Sequence, residues 1–216
     1  MGITPVKTPK IVKKALPKYV WEKQTNEKIL YLTFDDGPTP NITDQVLNLL
    51  SEFHAKATFF CIGNNVEKHP EIFKNILSKG HAIGNHTQNH LKGWKTDLEH
   101  YLADVDKAQD VINSELKDNK FSQKLFRPPY GKIKPSQGKA LINLGYTIVM
   151  WNVLSFDWDN QTSPDTCLKN VLDKSEPGSI IVFHDSEKAA KNLLYALPKV
   201  LEHFSNKGYT FKALAS

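Results

Sequence analysis

Arginine is almost absent from this chain: of its 28 lysines and arginines, Arg127 alone carries a guanidinium. Cysteine is scarce as well. The two present, Cys61 and Cys167, cannot make a disulfide framework. Cys61 lies in the apolar run 57–62 and reads as a buried thiol acting as a small hydrophobe. No apolar run approaches the roughly 18–20 residues a membrane span needs, so an integral membrane protein is not expected. The lysine-bearing N-terminus lacks the apolar stretch of about 7–15 residues that marks a secretory signal. The expectation is a cytoplasmic protein, or an exported one whose signal is missing from this sequence. Internal repeats and low-complexity tracts are missing too. With 40% hydrophobic and 24% charged residues, a disordered chain and a coiled coil are excluded.

What is abundant is lysine, and its excess has one address. Residues 1–28 hold seven lysines against Glu22 and Glu27, which accounts for the whole net charge of +5 and leaves 29–216 neutral. Contacting phosphates takes a clustered basic face on the folded body, so no nucleic-acid partner is expected. Broken by Pro5, Pro9 and Pro17, segment 1–28 reads as a basic arm laid on the surface. The 216 residues correspond to one main domain, here 29–216, at roughly 100–200 residues per domain. The sequence leaves the oligomeric state open.

From Ile29 onward short apolar runs at 29–34, 57–62, 81–83, 124–126, 146–151 and 179–183 read as buried strands. Between most of them the apolar spacing is helical, at 43–53, 72–77, 96–116, 136–144, 164–172 and 188–204. Strands alternating with helices imply βαβ units and a parallel sheet, and this number of units suits a barrel-like closure. In such folds the chemistry collects at the carboxyl ends of the strands.

The residues just after each apolar run are therefore the candidates. Asp35-Asp36-Gly37-Pro38 is a turn by composition, yet two adjacent carboxylates at a strand end can divide into a metal ligand and a group facing bound water. His86 and His90 are four apart, a spacing that puts two imidazoles on one face of a helical turn. Two histidines and a carboxylate such as Asp36 make a catalytic metal set with an open position, although polar loop histidines also occur by chance. Arg127 suggests planar, bidentate pairing with a carboxylate, or else a salt bridge that holds its loop, stiffened by Pro128 and Pro129. His184 ends the last run and has Asp157 as a possible tuning carboxylate; a structural histidine is the alternative. Trp151 and Trp158 read as core or as an aromatic wall, and Trp94 as core or as a platform for a sugar ring.

Together these pieces resemble the polysaccharide deacetylase family, carbohydrate esterase family 4. Its motifs stand in the family's order: T-F-D-D-G-P at 33–38, H-T-Q-N-H at 86–90, R-P-P-Y-G at 127–131, D-W at 157–158 and V-F-H at 182–184. A-T-F-F-C-I-G at 57–63 and G-H-A-I-G-N-H at 80–86 are similar to the family as well, so the likeness spans about residues 29–212. The resemblance implies an α/β fold, a distorted (β/α)7–8 barrel with a mostly parallel sheet. It implies a metal-dependent hydrolase that removes N-acetyl groups from chitin-like or peptidoglycan-like amino sugars.

Residue by residue, Asp36, His86 and His90 match the metal ligands, Asp35 the general base and Arg127 the residue that orients it. His184 matches the general acid and Asp157 its tuning carboxylate. Tyr130 matches the position whose backbone N–H helps hold the oxyanion, and Trp158 and Val182 the walls of the acetyl pocket. Zinc is the first choice for the one divalent cation, with cobalt, nickel or manganese able to fit. Two positions depart from the family pattern. Leu154 stands where an additional Asp is frequent, which removes a local hydrogen-bonding acid, and Val182 replaces a commoner Leu. A same-fold hydrolase of a non-sugar amide, imide or O-acetyl group, and a binding relative without catalysis, remain alternatives.

Overall fold

The computed structural model describes residues 5–116 and 123–214. In chain order its elements are α1 (Lys10–Ala15), β1 (Ile29–Asp35), α2 (Ile42–Glu52), β2 (Thr58–Cys61), α3 (Gly63–Lys68), α4 (Pro70–Ser78), β3 (Ala82–Asn85) and α5 (Leu98–Leu116). The second part follows with β4 (Lys124–Phe126), α6 (Pro135–Asn143), β5 (Tyr146–Ile148), β6 (Val153–Leu154), α7 (Pro164–Lys174), β7 (Ile180–His184), α8 (Ala190–Asn206) and β8 (Thr210–Phe211). Short 3₁₀ turns occupy Gly93–Lys95 and Pro129–Gly131.

The strands run in the order β5–β4–β3–β2–β1–β7–β6, with β8 on the first residues of β1, and every ladder between them is parallel. Parallel pairing needs a crossover between neighbours, and α2 to α8 supply most of these, which gives the distorted α/β barrel the motifs implied. Because all strands point the same way, the residues that end them share one rim.

Alternation along β1 decides what faces what. Leu30, Leu32 and Phe34 are fully buried in the cluster shared with Val46, Leu47 and Leu50 of α2 and Leu197, Val200 and Leu201 of α8. The residues between them, Tyr31, Thr33 and Asp35, are thereby turned to the other face, toward the barrel interior where Phe60, Leu125, Val149 and Ile180 pack. Each fully buried large side chain contributes about 1.5–3 kcal/mol by leaving water, so a one-residue slip of β1 would expose the set and misaim Asp35. Cys61 and Cys167 are both free and buried, and burial pushes the Cys61 thiol well up, in keeping with a neutral core residue.

The N-terminal segment departs from the expected surface arm. Val20 donates its N–H to Ile148 O at 2.9 Å and accepts from Met150 N at 2.7 Å, so it pairs with the chain leaving β5. At the other edge Leu154 N donates to Val6 O and Thr8 N to Asn152 O, both at 2.9 Å. The segment thus covers both sheet edges, groups that would otherwise be open to pairing with another chain. Trp21 is buried with it and donates its indole N–H to Leu16 O at 3.1 Å. Among the described residues no helix is long and apolar enough to cross a membrane.

Candidate active site

A cleft of about 670 Å³ opens at the carboxyl rim, and Asp35, Asp36, His86, His90, Tyr130, Trp158, Val182 and His184 line it. These residues therefore converge, delivered by β1, β3, β4, β6 and β7 or by the loops that follow them. Asp35 ends β1 directly opposite His184, which ends β7.

Asp36 follows with a left-handed backbone (φ +83°) and presents Oδ1 3.3 Å from His90 Nε2 and 3.7 Å from His86 Nε2. That Oδ1 is buried and has no hydrogen-bond partner. His86 Nδ1 lies 2.7 Å from the Arg127 carbonyl, an acceptor only, so Nδ1 carries the proton and Nε2 turns its lone pair to Asp36. Burial lowers the His86 pKa against the pull of Asp35 and Asp36, and brings His90 down to about 4. Near neutral pH the three side chains are two neutral imidazoles and a carboxylate, the protonation states a divalent cation requires. One ligand atom from each lies within 4.8 Å of the others. The orphaned Oδ1 and the pinned tautomer fit a cation; a purely structural cluster would leave the oxygen unsatisfied at a cost.

The helical turn expected for His86 and His90 is not what brings them together. The loop between them has left-handed residues at Thr87 (φ +67°) and His90 (φ +52°). It is fixed from outside by Asp104 of α5, whose Oδ2 accepts the N–H groups of Gln88 at 2.9 Å and Asn89 at 3.1 Å, while Oδ1 accepts from the Asn89 amide. Asn85 adds a bond from Thr87 N at 2.8 Å. Asp104 was not among the candidates, since a lone acid on a long amphipathic helix reads as solvent-facing.

Arg127 is fully buried, but its expected bidentate pairing does not form. Nη1 reaches Asp35 Oδ1 and Thr33 Oγ1, each at 2.7 Å, whereas Nη2 goes to Met150 O at 2.9 Å and Nε to Val149 O at 3.2 Å. Two carbonyls have taken the donors a second carboxylate oxygen would need. The guanidinium lies over the Phe60 ring at 4.1 Å, and Gly84 leaves room for that ring: a Cβ there would stand 2.3 Å from it. Held by one oxygen, Asp35 keeps the other for the cleft.

His184 is clasped by Asp157. Its backbone N–H reaches Asp157 Oδ2 at 2.7 Å and its ring Nδ1 reaches Oδ1 at 2.8 Å, which leaves Nε2 for the cleft. Burial opposes a charged ring, yet Asp157, with Asp36 and Asp35 behind it, raises the His184 pKa to about 9. Trp158 tilts against the same ring at 4.8 Å, and Phe156 stacks on Trp158. Leu154 and Val182 are register partners in β6 and β7, and both line the cleft. Where an acid was frequent in the family pattern, this chain has an apolar wall. Tyr130 (φ +60°) packs its ring 4.7 Å from His90, with Trp94 edge-on to Tyr130, and its N–H finds no acceptor among the described residues.

Comparison with known proteins bears on the family and the fold. The sequence profile of the family described as polysaccharide deacetylase matches residues 22–149. A peptidoglycan-N-acetylglucosamine deacetylase of Bacillus cereus is 37% identical over 193 residues, covering 88% of each chain. A chitooligosaccharide deacetylase of Rhizobium leguminosarum bv. trifolii is 31% identical, covering 76% of this chain and 74% of its own. Among solved structures, a peptidoglycan N-acetylglucosamine deacetylase superposes with a TM-score of 0.86 at 34% identity, over 96% of this chain and 95% of the other.

Proposed function

The chain belongs to the polysaccharide deacetylase family, and on that premise we propose how its cleft removes an N-acetyl group from a chitin-like or peptidoglycan-like sugar. Asp36, His86 and His90 would hold the divalent cation. Two nitrogens and one carboxylate oxygen suit zinc first, with cobalt, nickel and manganese fitting the same donors. When bound, the cation polarises the acetyl carbonyl and acidifies the attacking water.

The remaining tasks fall to the chain's own residues. Asp35 takes the proton of the attacking water on the oxygen that Arg127 leaves free. Tyr130 offers its backbone N–H to the carbonyl oxygen as negative charge develops, a contribution of roughly 3–4 kcal/mol for one well-placed donor. Leu154, Trp158 and Val182 seat the acetyl methyl and keep water from it. His184, its Nδ1–H held by Asp157, protonates the sugar amine from Nε2 as the C–N bond breaks. An amine cannot leave as an anion, so this proton is indispensable for an amide and dispensable for an activated ester.

One observation carries the reading: a carboxylate and an imidazole stand opposite each other at a single β1–β7 register pair, beside three unsaturated donor atoms. A protein that only binds sugar has no use for that arrangement. Acetate release from chitooligosaccharides, peptidoglycan fragments and acetylated xylan, with metal content measured alongside, tests it. Metal-stimulated release from the amino-sugar substrates is expected. Release from xylan alone would transfer the activity to O-acetyl groups, and none from any substrate would overturn the reading.

A further inference from the structure

Three ammonium groups, from Lys92, Lys132 and Lys188, line the cleft beside the residues described above. They arrive from separate places, the loops after β3, β4 and β7, and all three residues are exposed. Among the described residues none of them forms an ion pair. Instead Lys92 Nζ stands 5.7 Å from the centre of the Tyr130 ring, and Lys132 Nζ 5.3 Å from that of Trp94. Among the described residues the only carboxylates lining the cleft are Asp35 and Asp36, the first paired with Arg127 and the second facing His86 and His90.

This is a local asymmetry, because the basic excess of the whole chain lies in residues 1–28 and the remainder is neutral. A recess lined by one sign of charge concentrates ligands of the opposite sign. A neutral oligomer of N-acetylglucosamine offers hydroxyl and acetamide groups, which gain nothing special from an ammonium. A carboxylate does. The aromatic rings beneath Lys92 and Lys132 suit the face of a sugar, so the ammonium groups stand where substituents of a stacked sugar would project.

Building on the deacetylase reading, we infer that Lys92, Lys132 and Lys188 are specificity-determining residues that select an N-acetylated glycan bearing carboxylates over a neutral one. The carboxylate can come from an acidic ether on the sugar or from an attached peptide, and both present the same group to the lysines.

The test compares kcat/KM for acetate release on three oligomers of equal length: neutral chitooligosaccharide, a muramic-acid-containing oligomer with free lactyl carboxylates, and the same oligomer carrying its peptides. At low salt the wild-type protein should prefer at least one anionic oligomer by about tenfold, the yield of three screened ion pairs, and the arm preferred names the source. Raising the salt to about 0.5 M should erase most of the preference. The combined Lys92→Gln, Lys132→Gln, Lys188→Gln variant should bring the ratio to near unity, and the combined Lys92→Glu, Lys132→Glu, Lys188→Glu variant should favour the neutral oligomer. Equal kcat/KM on neutral and anionic oligomers, or a preference the combined variant retains, overturns the inference alone. Absence of acetate from all three with metal present would overturn the deacetylase reading itself.

Discussion

Asp185 accepts the Gly37 N–H at 3.0 Å, and the fit leaves no room for a side chain on Gly37, whose Cβ would stand 2.0 Å from Asp185 Oδ2. Thr43 Oγ1 donates to Oδ2 of the same carboxylate at 2.6 Å, and Asp185 N donates to Asp35 O at 3.0 Å. The turn that carries Asp36 is therefore bolted to the end of β7. Burial, with the nearby Asp36 charge, raises the Asp185 pKa to about 8 against the opposing bonds from Thr43 and Gly37.

Asp185→Ala should then loosen Asp36 without touching it. The expected effect is a loss of zinc affinity of about 10–100-fold, as for other residues that orient a ligand. Competition against a chromophoric chelator reads this directly. An unchanged affinity would show that the turn holds its shape without Asp185.

Asp35→Asn keeps an oxygen for Arg127 Nη1 but removes the base. Zinc content should stay at the wild-type level while kcat falls by roughly 10²–10⁴-fold, the usual worth of a positioned base. Retained activity would remove Asp35 from that role.

His184→Ala should depress turnover of N-acetyl amides far more than that of aryl acetates, whose leaving groups need no proton. The pH profile carries the same information. With the folded pKa raised to about 9, the acid is present below that value and amide turnover declines as pH rises through it. A cation at Asp36 pulls this limb to lower pH. Asp157→Asn should shift it further, toward the ordinary histidine value near 6.5. An unmoved limb would separate Asp157 from the titration.

His81 gives a stability prediction remote from the rim. The ring is buried, accepts the Ala57 N–H on Nδ1 at 3.2 Å and leaves Nε2 without a partner. Burial, then Lys56 and Lys79, lowers its pKa to about 4. Because the unfolded ring takes up a proton near pH 6.5 and the folded ring only near 4, stability should be lost as pH falls across that window, by up to roughly 3 kcal/mol. In metal-free protein His86 and His90 add to the same slope, so the check is a difference. Urea unfolding of His81→Asn should show a shallower acid slope than the wild type, and an equal slope would contradict the assignment.

The residues legible in the sequence were those that end strands. Asp35, His86, Arg127 and His184 each follow an apolar run, and a parallel sheet sends all such ends to one rim. Their supports were not legible, because what supports them is distant in sequence. Asp104 looks like one more acid on an amphipathic helix until the loop 87–89 folds over it, and Asp185, though it follows a strand, has no readable task until Gly37, 148 positions away, meets it. The strands β6 and β8 are two residues long and show no period. The strand expected over 146–151 stops at Ile148, where the chain begins to pair with Val20. That pairing also explains why proline and lysine patterning made segment 1–28 read as an arm laid on the surface: Val6, Thr8 and Val20 supply backbone hydrogen bonds to the sheet edges, which leave no mark on composition.

Anomalous diffraction at the zinc edge, from crystals grown with stoichiometric zinc, tests the central claim most directly. One peak is expected, about 2.0–2.2 Å from an Asp36 carboxylate oxygen and from Nε2 of both His86 and His90. A fully active protein with no peak among those three side chains, or with its zinc bound elsewhere, would contradict it.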